Sequence, residues 1–428
     1  TTSFSREKIM SIVQILDSYS TDYWDFKNTK SEGIHKIANY PASMVAPMQH
    51  ELLQLLVNEN PTYRNMLDPF HGTGVTLVEG QEVGLDVYGI DINPYAHIIS
   101  LAKLEKYNPE EIILSNKNIL ERINRISKKK NVKIHTFENI NKWFRKDVIR
   151  DLSVIKEAIQ QEKGKRNRHY YWLCFGEIVK KYSNTRTSTF KLHMKESTKI
   201  NEMKNNIFSD FKNKIEETYL YIGYPAIGNF TLKCGDSNSI MRQIADGSFD
   251  IICTSPPYGD NGTTVTYGQF SILQLLWIDS SDFEYDMTII DSFSKLDSMS
   301  MGGTLSRNNA FYYSPLVANY IEKISPHKRN KILKFYSDYE NSFRQMVRLV
   351  KKNGCILLTL GNRRVDGEEF PFTEINIDLA THYNMRVEYI IKRNIVNKRM
   401  PKRVSHLSSG GSVNSMSKEK ILLLKKDA

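Results

Sequence analysis

Residues 63–96, YRNMLDPFHGTGVTLVEGQEVGLDVYGIDINPYA, constrain the fold more than any other stretch of the chain. A short apolar run ends at Asp68, Gly72 and Gly74 follow closely, a helical stretch comes next, and a second apolar run closes at Asp91. Strand, glycine turn, helix and strand in this order open a βαβ unit, which calls for a parallel sheet with helices on its faces. Glycines at such a turn let the backbone approach a ligand, and the N-terminus of the next helix offers free N–H groups. Asp91 comes 17 residues after Gly74, where an acid usually takes the two ribose hydroxyls of a nucleoside. Leu77 stands where a dinucleotide fingerprint has its third glycine, which disfavours a nicotinamide cofactor.

The flanking patterns complete an α/β chain. Residues 1–20 place Ile9, Ile12, Val13, Ile15 and Leu16 at helical spacing, and the second half of YPASMVAPMQHELLQLLVNENP (40–61) is an amphipathic helix with Pro61 beyond its end. From about 105 to 225 long polar helices replace strand alternation. Val148, Leu152, Ile155 and Ile159 recur as one helical face does, and HYYWLCFGEIVKKY (169–182) reads as a more buried helix. Trp143, Tyr171 and Trp172 are expected in helix cores. Strands resume at 229–236 and 249–255, and the loop-rich stretch 259–330 carries one apolar helix at 270–278. A long helix is expected over 327–354 with Gly354 as its stop, followed by strands at 355–362, 387–396 and 419–426. The expected division is 1–104 for the N-terminal helices and first half of the sheet, 105–226 for a helical insertion, and 227–428 for the other half.

Charge says what the insertion meets. The chain carries +11, yet residues 121–200 alone hold 21 Lys and Arg against 8 Asp and Glu, a local +13. A polyanionic partner is favoured, nucleic acid most simply, with a solvated basic surface as the competing account. Cys174, Cys234, Cys253 and Cys355 lie far apart and form no C-x-x-C pair. They read as reduced core residues, with no disulfide framework and no metal site. No apolar run approaches a bilayer span, and TTSFSREKIMSIVQIL lacks the order of a secretory signal. No membrane partner and a cytoplasmic location are therefore expected.

The second constraining stretch is ICTSPPYGD (252–260). Ile251, Ile252 and Cys253 have the character of interior strand residues and run straight into Thr254, Ser255, two prolines and Tyr258. Ligands of a parallel sheet bind beyond the carboxyl ends of its strands. The glycine turn and this strand end can thus face one another across one crevice.

These residues carry a resemblance. DPFHGTG resembles the D-P-F-x-G-x-G cofactor motif of S-adenosylmethionine-dependent amino-methyltransferases acting on DNA, and TSPPY resembles their S/D/N-P-P-Y catalytic motif. YPASMVAP (40–47) is similar to the segment they pack over the methionine end of the cofactor, and KCGDSN (233–238) sits where they place an acid near the adenine ring. The resemblance covers 35–104 and 227–428 and stops short of the insertion. It implies a Rossmann-like S-adenosylmethionine-dependent methyltransferase sheet with a helical, basic insertion. It places Tyr40, Pro41, Ala42, Asp68, Pro69, Phe70, Gly72, Gly74, Asp91 and Asp236 about the cofactor, and Ser255, Pro256, Pro257 and Tyr258 in the catalytic set. Serine at the first catalytic position resembles the subset that methylates N4 of cytosine. Adenine N6 stays open as the alternative target, and so, more remotely, do an RNA methyltransferase and a non-catalytic nucleic-acid-binding subunit.

The chemistry gives each residue type a reason. An exocyclic base amine is a poor nucleophile because its lone pair is delocalised into the ring. A site has to accept its N–H hydrogens and draw that lone pair toward a methyl sulfonium. The Ser255 hydroxyl and the Pro256 carbonyl suit that task, and the prolines fix φ and hold the carbonyl outward. Tyr258 offers a flat face for the base, which must first be flipped out of a duplex. Cys253 belongs to the strand and not to a P-C pair, which disfavours carbon-5 chemistry on cytosine. Double-stranded DNA is the expected partner, with a cognate restriction endonuclease acting on the same site as a candidate second one. Ser183, Asn184, Arg186 and Lys191 in SNTRTSTFKLH (183–193) are expected DNA contacts, as are Lys398, Arg399, Lys402 and Arg403 in NKRMPKR (397–403). Residues 259–330 are candidates to close over the flipped base, and His71 has no expected role.

Overall fold

The computed structural model describes residues 10–27, 29–30, 32–222, 227–260, 264–303, 311–395, 403–406, 412–414 and 418–427. Its strands are β1 (Asn65–Asp68), β2 (Asp86–Asp91), β3 (Phe230–Cys234), β4 (Phe249–Thr254), β5 (Val350–Gly361), β6 (Arg364–Val365), β7 (Glu368–Glu369), β8 (Met385–Asn394), β9 (Arg403–His406), β10 (Ser412–Asn414) and β11 (Lys418–Lys426). Seven of them form one sheet in the order β3-β2-β1-β4-β5-β11-β8, while β6 pairs with β7 and β9 with β10. The first five sheet strands are parallel, and β11 runs antiparallel between β5 and β8. From β1 the chain winds outward to β2 and β3, and from β4 it winds the other way to β5. The order therefore reverses between β1 and β4, where a doubly wound sheet opens its ligand crevice.

Helices cover both faces. α1 (Ile12–Ser18), α2 (Ala46–Glu59), α3 (Val75–Glu82) and α4 (Pro94–Leu104) lie in the first part of the chain. Between β2 and β3, α4 is followed by α5 (Pro109–Ser127), α6 (Ile140–Trp143), α7 (Lys146–Gln160), α8 (Lys165–Tyr182), α9 (Ser197–Glu202) and α10 (Ile207–Tyr219). Next come α11 (Ser237–Met241), α12 (Tyr267–Trp277), α13 (Lys295–Met299), α14 (Pro315–Lys323), α15 (Pro326–Leu349) and α16 (Phe372–His382). Successive strand residues point to opposite faces, and the apolar ones sort accordingly. Met66, Ile251, Cys253, Leu357 and Ile421 pack with Leu53 of α2 and Leu77 of α3. Leu67, Ile252, Ile356, Leu358 and Leu422 pack with Phe335 of α15 and Leu379 of α16. Every residue of β4 is buried, as expected of a central parallel strand covered on both faces.

The basic helical segment does not stand apart from its neighbours. Ile119, Leu152, Trp172 and Phe211, from α5, α7, α8 and α10, share one core with Tyr95 of α4 and Trp277 of α12. Arg168 on α8 grips Asp282 through Nη2 at 2.6 Å and Nε at 2.8 Å, and the Trp172 indole donates to the same carboxylate at 2.7 Å. That shared carboxylate fastens α8 to the chain just after α12. Trp143, Tyr171 and Trp172 are buried here. Among the described residues no helix is long and apolar enough to cross a membrane.

One boundary departs from expectation. The long helix ends at Leu349, and Gly354 lies inside β5 instead of stopping a helix. Val350 is already extended, and Asn353 takes a positive φ of 63°. Gly354 then passes so close to β4 that a Cβ would stand 2.7 Å from the Asp250 carbonyl oxygen and 2.9 Å from that of Lys351. The glycine marks a close backbone approach within a sheet. Gly354→Ala should push β5 off β4 at a cost of about 1–3 kcal/mol. Thermal unfolding should read a lowered midpoint, and an unchanged one would show that the strands yield without strain.

Candidate active site

The two motifs meet through one buried acid. Asp68 ends β1, where Leu67 pairs with Ile252 of β4, and its side chain is 0% exposed. One carboxylate oxygen accepts from Thr254 Oγ1 at 2.6 Å and from the Phe70 N–H at 3.0 Å, while the other accepts from Thr76 Oγ1. Burial pushes this carboxyl up to about 6, against the pull of those three donors. Asp68 thus ties the start of the glycine turn, the first turn of α3 and the end of β4 together.

The glycine turn is shaped from beneath. Gly72 and Gly74 take φ values of 51° and 72°, the left-handed region that favours glycine. At Gly74, the residue before α3, a Cβ would lie 2.8 Å from Ser100 Oγ, so α4 can pack directly on the turn. At Gly72 a Cβ would meet nothing within 4 Å. Its N–H donates to Asp91 Oδ2 at 2.8 Å, and the Asn93 N–H donates to Oδ1, also at 2.8 Å. Burial pushes the Asp91 carboxyl up to about 6. A carboxylate offers about four lone-pair sites, so after two backbone bonds it can still accept from two hydroxyls. His71, with no role expected, is buried with Nδ1 against the Gly72 carbonyl at 2.9 Å, and burial lowers its pKa to about 4. It packs the turn as a neutral ring.

A cleft of about 3430 Å³ opens over these strand ends, several times the roughly 300–1,000 Å³ of a small-molecule pocket. Its lining includes Tyr40, Pro41, Ala42, Phe70, Gly72, Asp91 and Asp236 together with Ser255, Pro256, Pro257 and Tyr258. Asp68, Pro69 and Gly74 are absent from that lining. The acid is fully enclosed, the Pro69 carbonyl accepts from Ser237 Oγ at 2.5 Å, and Gly74 faces Ser100. These three shape the turn from behind, while Phe70, Gly72 and Asp91 line the cleft. Asp236 caps α11, accepting from the Ser239 N–H.

Several residues that sequence reasoning passed over complete the site. Tyr40 stacks on Tyr267 of α12, centroids 5.7 Å apart at 16°, and its hydroxyl accepts from Asn93 Nδ2 at 2.7 Å. Asn93 follows Asp91 by two positions, the one signal that could have found it. Ser255 Oγ lies 3.0 Å from the Tyr258 hydroxyl, which reaches the Thr359 carbonyl at 3.4 Å. The turn after Tyr258 is clamped. Asp260 is buried and pairs with Lys331 at 2.8 Å and Arg363 at 3.3 Å. Thr359 and Arg363 sit on or just after β5, far from either motif in sequence.

The expected DNA contacts divide. Ser183 and Asn184 are buried, with Ser183 Oγ bonded to the Lys180 carbonyl and Asn184 Nδ2 to the Lys142 carbonyl. They fasten the end of α8 and lie buried, where the sequence reading expected exposed DNA contacts. Beyond them the chain doubles back, with Lys195 N–H on the Asn184 carbonyl and Arg186 N–H on the His193 carbonyl. Arg186 and Lys191 are exposed on this loop, and Thr187, Ser188 and Phe190 border the cleft. Lys398, Arg399 and Lys402 lie outside the described residues, and the Arg403 backbone opens β9.

The chemistry of this donor set suits S-adenosylmethionine. An open glycine edge offers room for the nucleoside, and Asp91 beside it keeps acceptor capacity for ribose hydroxyls. Comparison with known proteins agrees. The family model for N6/N4 methyltransferases, described as DNA methylase, matches residues 6–102. The chain is 31% identical over 435 aligned residues to the Type II methyltransferase M.MvaI of Kocuria varians, covering 95% of this chain and 94% of that protein. Local matches reach the Type II methyltransferases M.MjaII of Methanocaldococcus jannaschii (26% identity, 36% of this chain, 29% of that one) and M.BsoBI of Geobacillus stearothermophilus (29% identity, 27% and 23%). With glycine turn and S-P-P-Y end lining one cleft at the switch point and a relative matched along nearly its whole length, the chain belongs to the N6/N4 family of S-adenosylmethionine-dependent DNA methyltransferases.

Proposed function

We propose that the protein methylates the N4 amine of a cytosine flipped out of duplex DNA at a specific site. The observation that carries this reading is Ser255 and Pro256 bordering the same cleft as Gly72 and Asp91. S-adenosylmethionine, when bound, supplies an electrophilic methyl group on a sulfonium. Asp91 would hold its ribose hydroxyls, Phe70 and Gly72 would border the nucleoside, and Tyr40, Pro41 and Ala42 would border its methionine end, with Asp236 toward the adenine. Ser255 Oγ and the Pro256 carbonyl accept the two N–H hydrogens of the amine and localise its lone pair on nitrogen. Pro257 fixes the turn that aims the carbonyl, and the Tyr258 ring walls the base. The spare proton of the methylated amine leaves to water. Preorganised acceptors of this kind stabilise developing charge without rearranging during the reaction.

DNA reaches the cleft past the helical lobe. Arg186 and Lys191 stand exposed on the loop whose Thr187, Ser188 and Phe190 border the cleft, so they suit phosphate or base contact. Lys180, also at the cleft, lies 3.4 Å above the Phe270 ring, and burial lowers its pKa to about 8. The Type II designation of the relatives supports a place in a restriction–modification pair, with a cognate endonuclease acting on the same site.

Nucleosides released from duplex DNA after incubation with the protein and deuterium-labelled S-adenosylmethionine should contain labelled N4-methylcytosine by mass spectrometry. Labelled N6-methyladenine would keep the site and change the base. Ser255→Ala should lower single-turnover methyl transfer by about 100-fold or more, the usual effect of losing one preorganised group, with cofactor affinity nearly intact. Asp91→Ala should instead weaken cofactor binding by about 10- to 100-fold, as loss of charge-assisted hydrogen bonds does. Unchanged turnover in Ser255→Ala would remove the serine from the mechanism.

A further inference from the structure

We propose that the Tyr258 hydroxyl makes Ser255 a one-way hydrogen-bond acceptor, so that the pocket tells a base amine from a base carbonyl. The inference rests on the reading above that Ser255 meets the exocyclic group of the target base. A serine hydroxyl alone is a rotor with one donor and two lone pairs. It can turn to donate to a carbonyl as readily as it accepts from an amine, and so would not distinguish them.

Three groups in line remove that freedom. Ser255 Oγ is 3.0 Å from the Tyr258 hydroxyl, and that hydroxyl is 3.4 Å from the Thr359 carbonyl oxygen. A backbone carbonyl can only accept, so the phenol can donate to Thr359, while either hydroxyl of the Ser255–Tyr258 pair could donate to the other. With its proton given to Thr359, the phenol oxygen is left to accept the hydrogen of Ser255, its 3.0 Å neighbour. The serine's lone pairs are what remain for the cleft. Burial holds the Tyr258 phenol far above its usual pKa, so it keeps the proton that this chain requires.

Neither end of the line can easily shift. Thr359 is fixed inside β5, in register with Ile421 of β11. The Tyr258 ring meets Phe372 edge-on at 6.4 Å, and the next turn is pinned by Asp260 between Lys331 and Arg363. Cytosine carries an amine where uracil and thymine carry a carbonyl, and adenine stands to hypoxanthine in the same relation. A carbonyl in this pocket would face lone pairs with no donor to match. Tyr258 is on this account a positioning and specificity residue that acts through Ser255.

The test uses two duplexes containing the site mapped by the labelled-methyl experiment. One keeps the target base, and the other carries its oxo counterpart, uracil for cytosine or hypoxanthine for adenine. Binding of each to the full-length protein with S-adenosylhomocysteine gives an oxo-to-amine ratio of dissociation constants. Base-opening costs cancel, because every variant meets the same two duplexes. In Tyr258→Phe the ratio should fall by about tenfold, the scale of one hydrogen bond lost or gained, and single-turnover transfer should slow by a similar factor. A merely structural defect would weaken both duplexes together and leave the ratio alone. In a Ser255→Ala background, adding Tyr258→Phe should not change the ratio. An equal ratio in wild type and Tyr258→Phe overturns the inference, and so does an undiminished Tyr258→Phe effect without Ser255. The catalytic reading would survive either result if Ser255→Ala alone still abolished transfer.

Discussion

A single buried carboxylate holds the two halves of the site at their working separation. Asp68 accepts from Thr76, Thr254 and the Phe70 N–H, three hydrogen bonds of which each, to an ionised partner, is worth about 1.5–3 kcal/mol. They offset only part of the burial that pushes its pKa up to about 6. Because the strand order reverses between β1 and β4, no loop of chain joins their carboxyl ends directly. The carboxylate supplies that link. With it in place, the glycine turn presents the Gly72 N–H to Asp91, and the chain leaves β4 so that Ser255 follows immediately upon a fixed Thr254.

The parts legible in the sequence are those set by periodicity and by local turn chemistry. The βαβ opening and the strand-end position of Ser255 follow from patterns a few residues long, and the helical, basic insertion from periodicity and charge along its own stretch of chain. What stayed hidden depends on contacts between segments distant in sequence. Asp68 reads as a ligand-facing motif residue until Thr254, 186 positions away, is seen on its carboxylate. Ser183 and Asn184 look like polar loop residues because their partners, the end of α8 and the Lys142 carbonyl, are backbone atoms that no side-chain pattern reveals. Gly354 after two lysines and an asparagine resembles a helix stop, and its true constraint is the backbone of β4. Thr359 acts through a carbonyl, which every residue possesses, so its identity carries no signal at all.

The helical lobe and the chemistry are mechanically continuous. α12 begins a few residues after the S-P-P-Y turn. Its first residue, Tyr267, stacks on Tyr40 at the cleft, while its last, Trp277, is fully buried against Phe144 and Phe175 of the lobe. Asn93 joins the same assembly from the cofactor side, donating to Tyr40 and to Ser271 Oγ of α12. Leu192, on the exposed basic loop, donates through its N–H to Gln269 of α12 at 3.3 Å.

A close-packed helix transmits displacement instead of absorbing it. A continuous line of contacts runs from Leu192 on the basic loop through Gln269 and Tyr267 of α12 to Tyr40 and Asn93, which stands two residues from Asp91. The glycine in this path, Gly268, is no hinge. A Cβ there would lie 2.9 Å from the Asp297 carboxylate, which accepts the Gly268 and Gln269 N–H groups and caps the helix. The segment after the catalytic turn is thus braced at its start. Fixed acceptors suit a reaction in which the methyl donor is already activated and most of the remaining work is alignment. On the proposed mechanism, an acceptor pair that had to be assembled on each turnover would give back part of that advantage, and the contacts of α12, Asp260 and Asp68 would spare it that step.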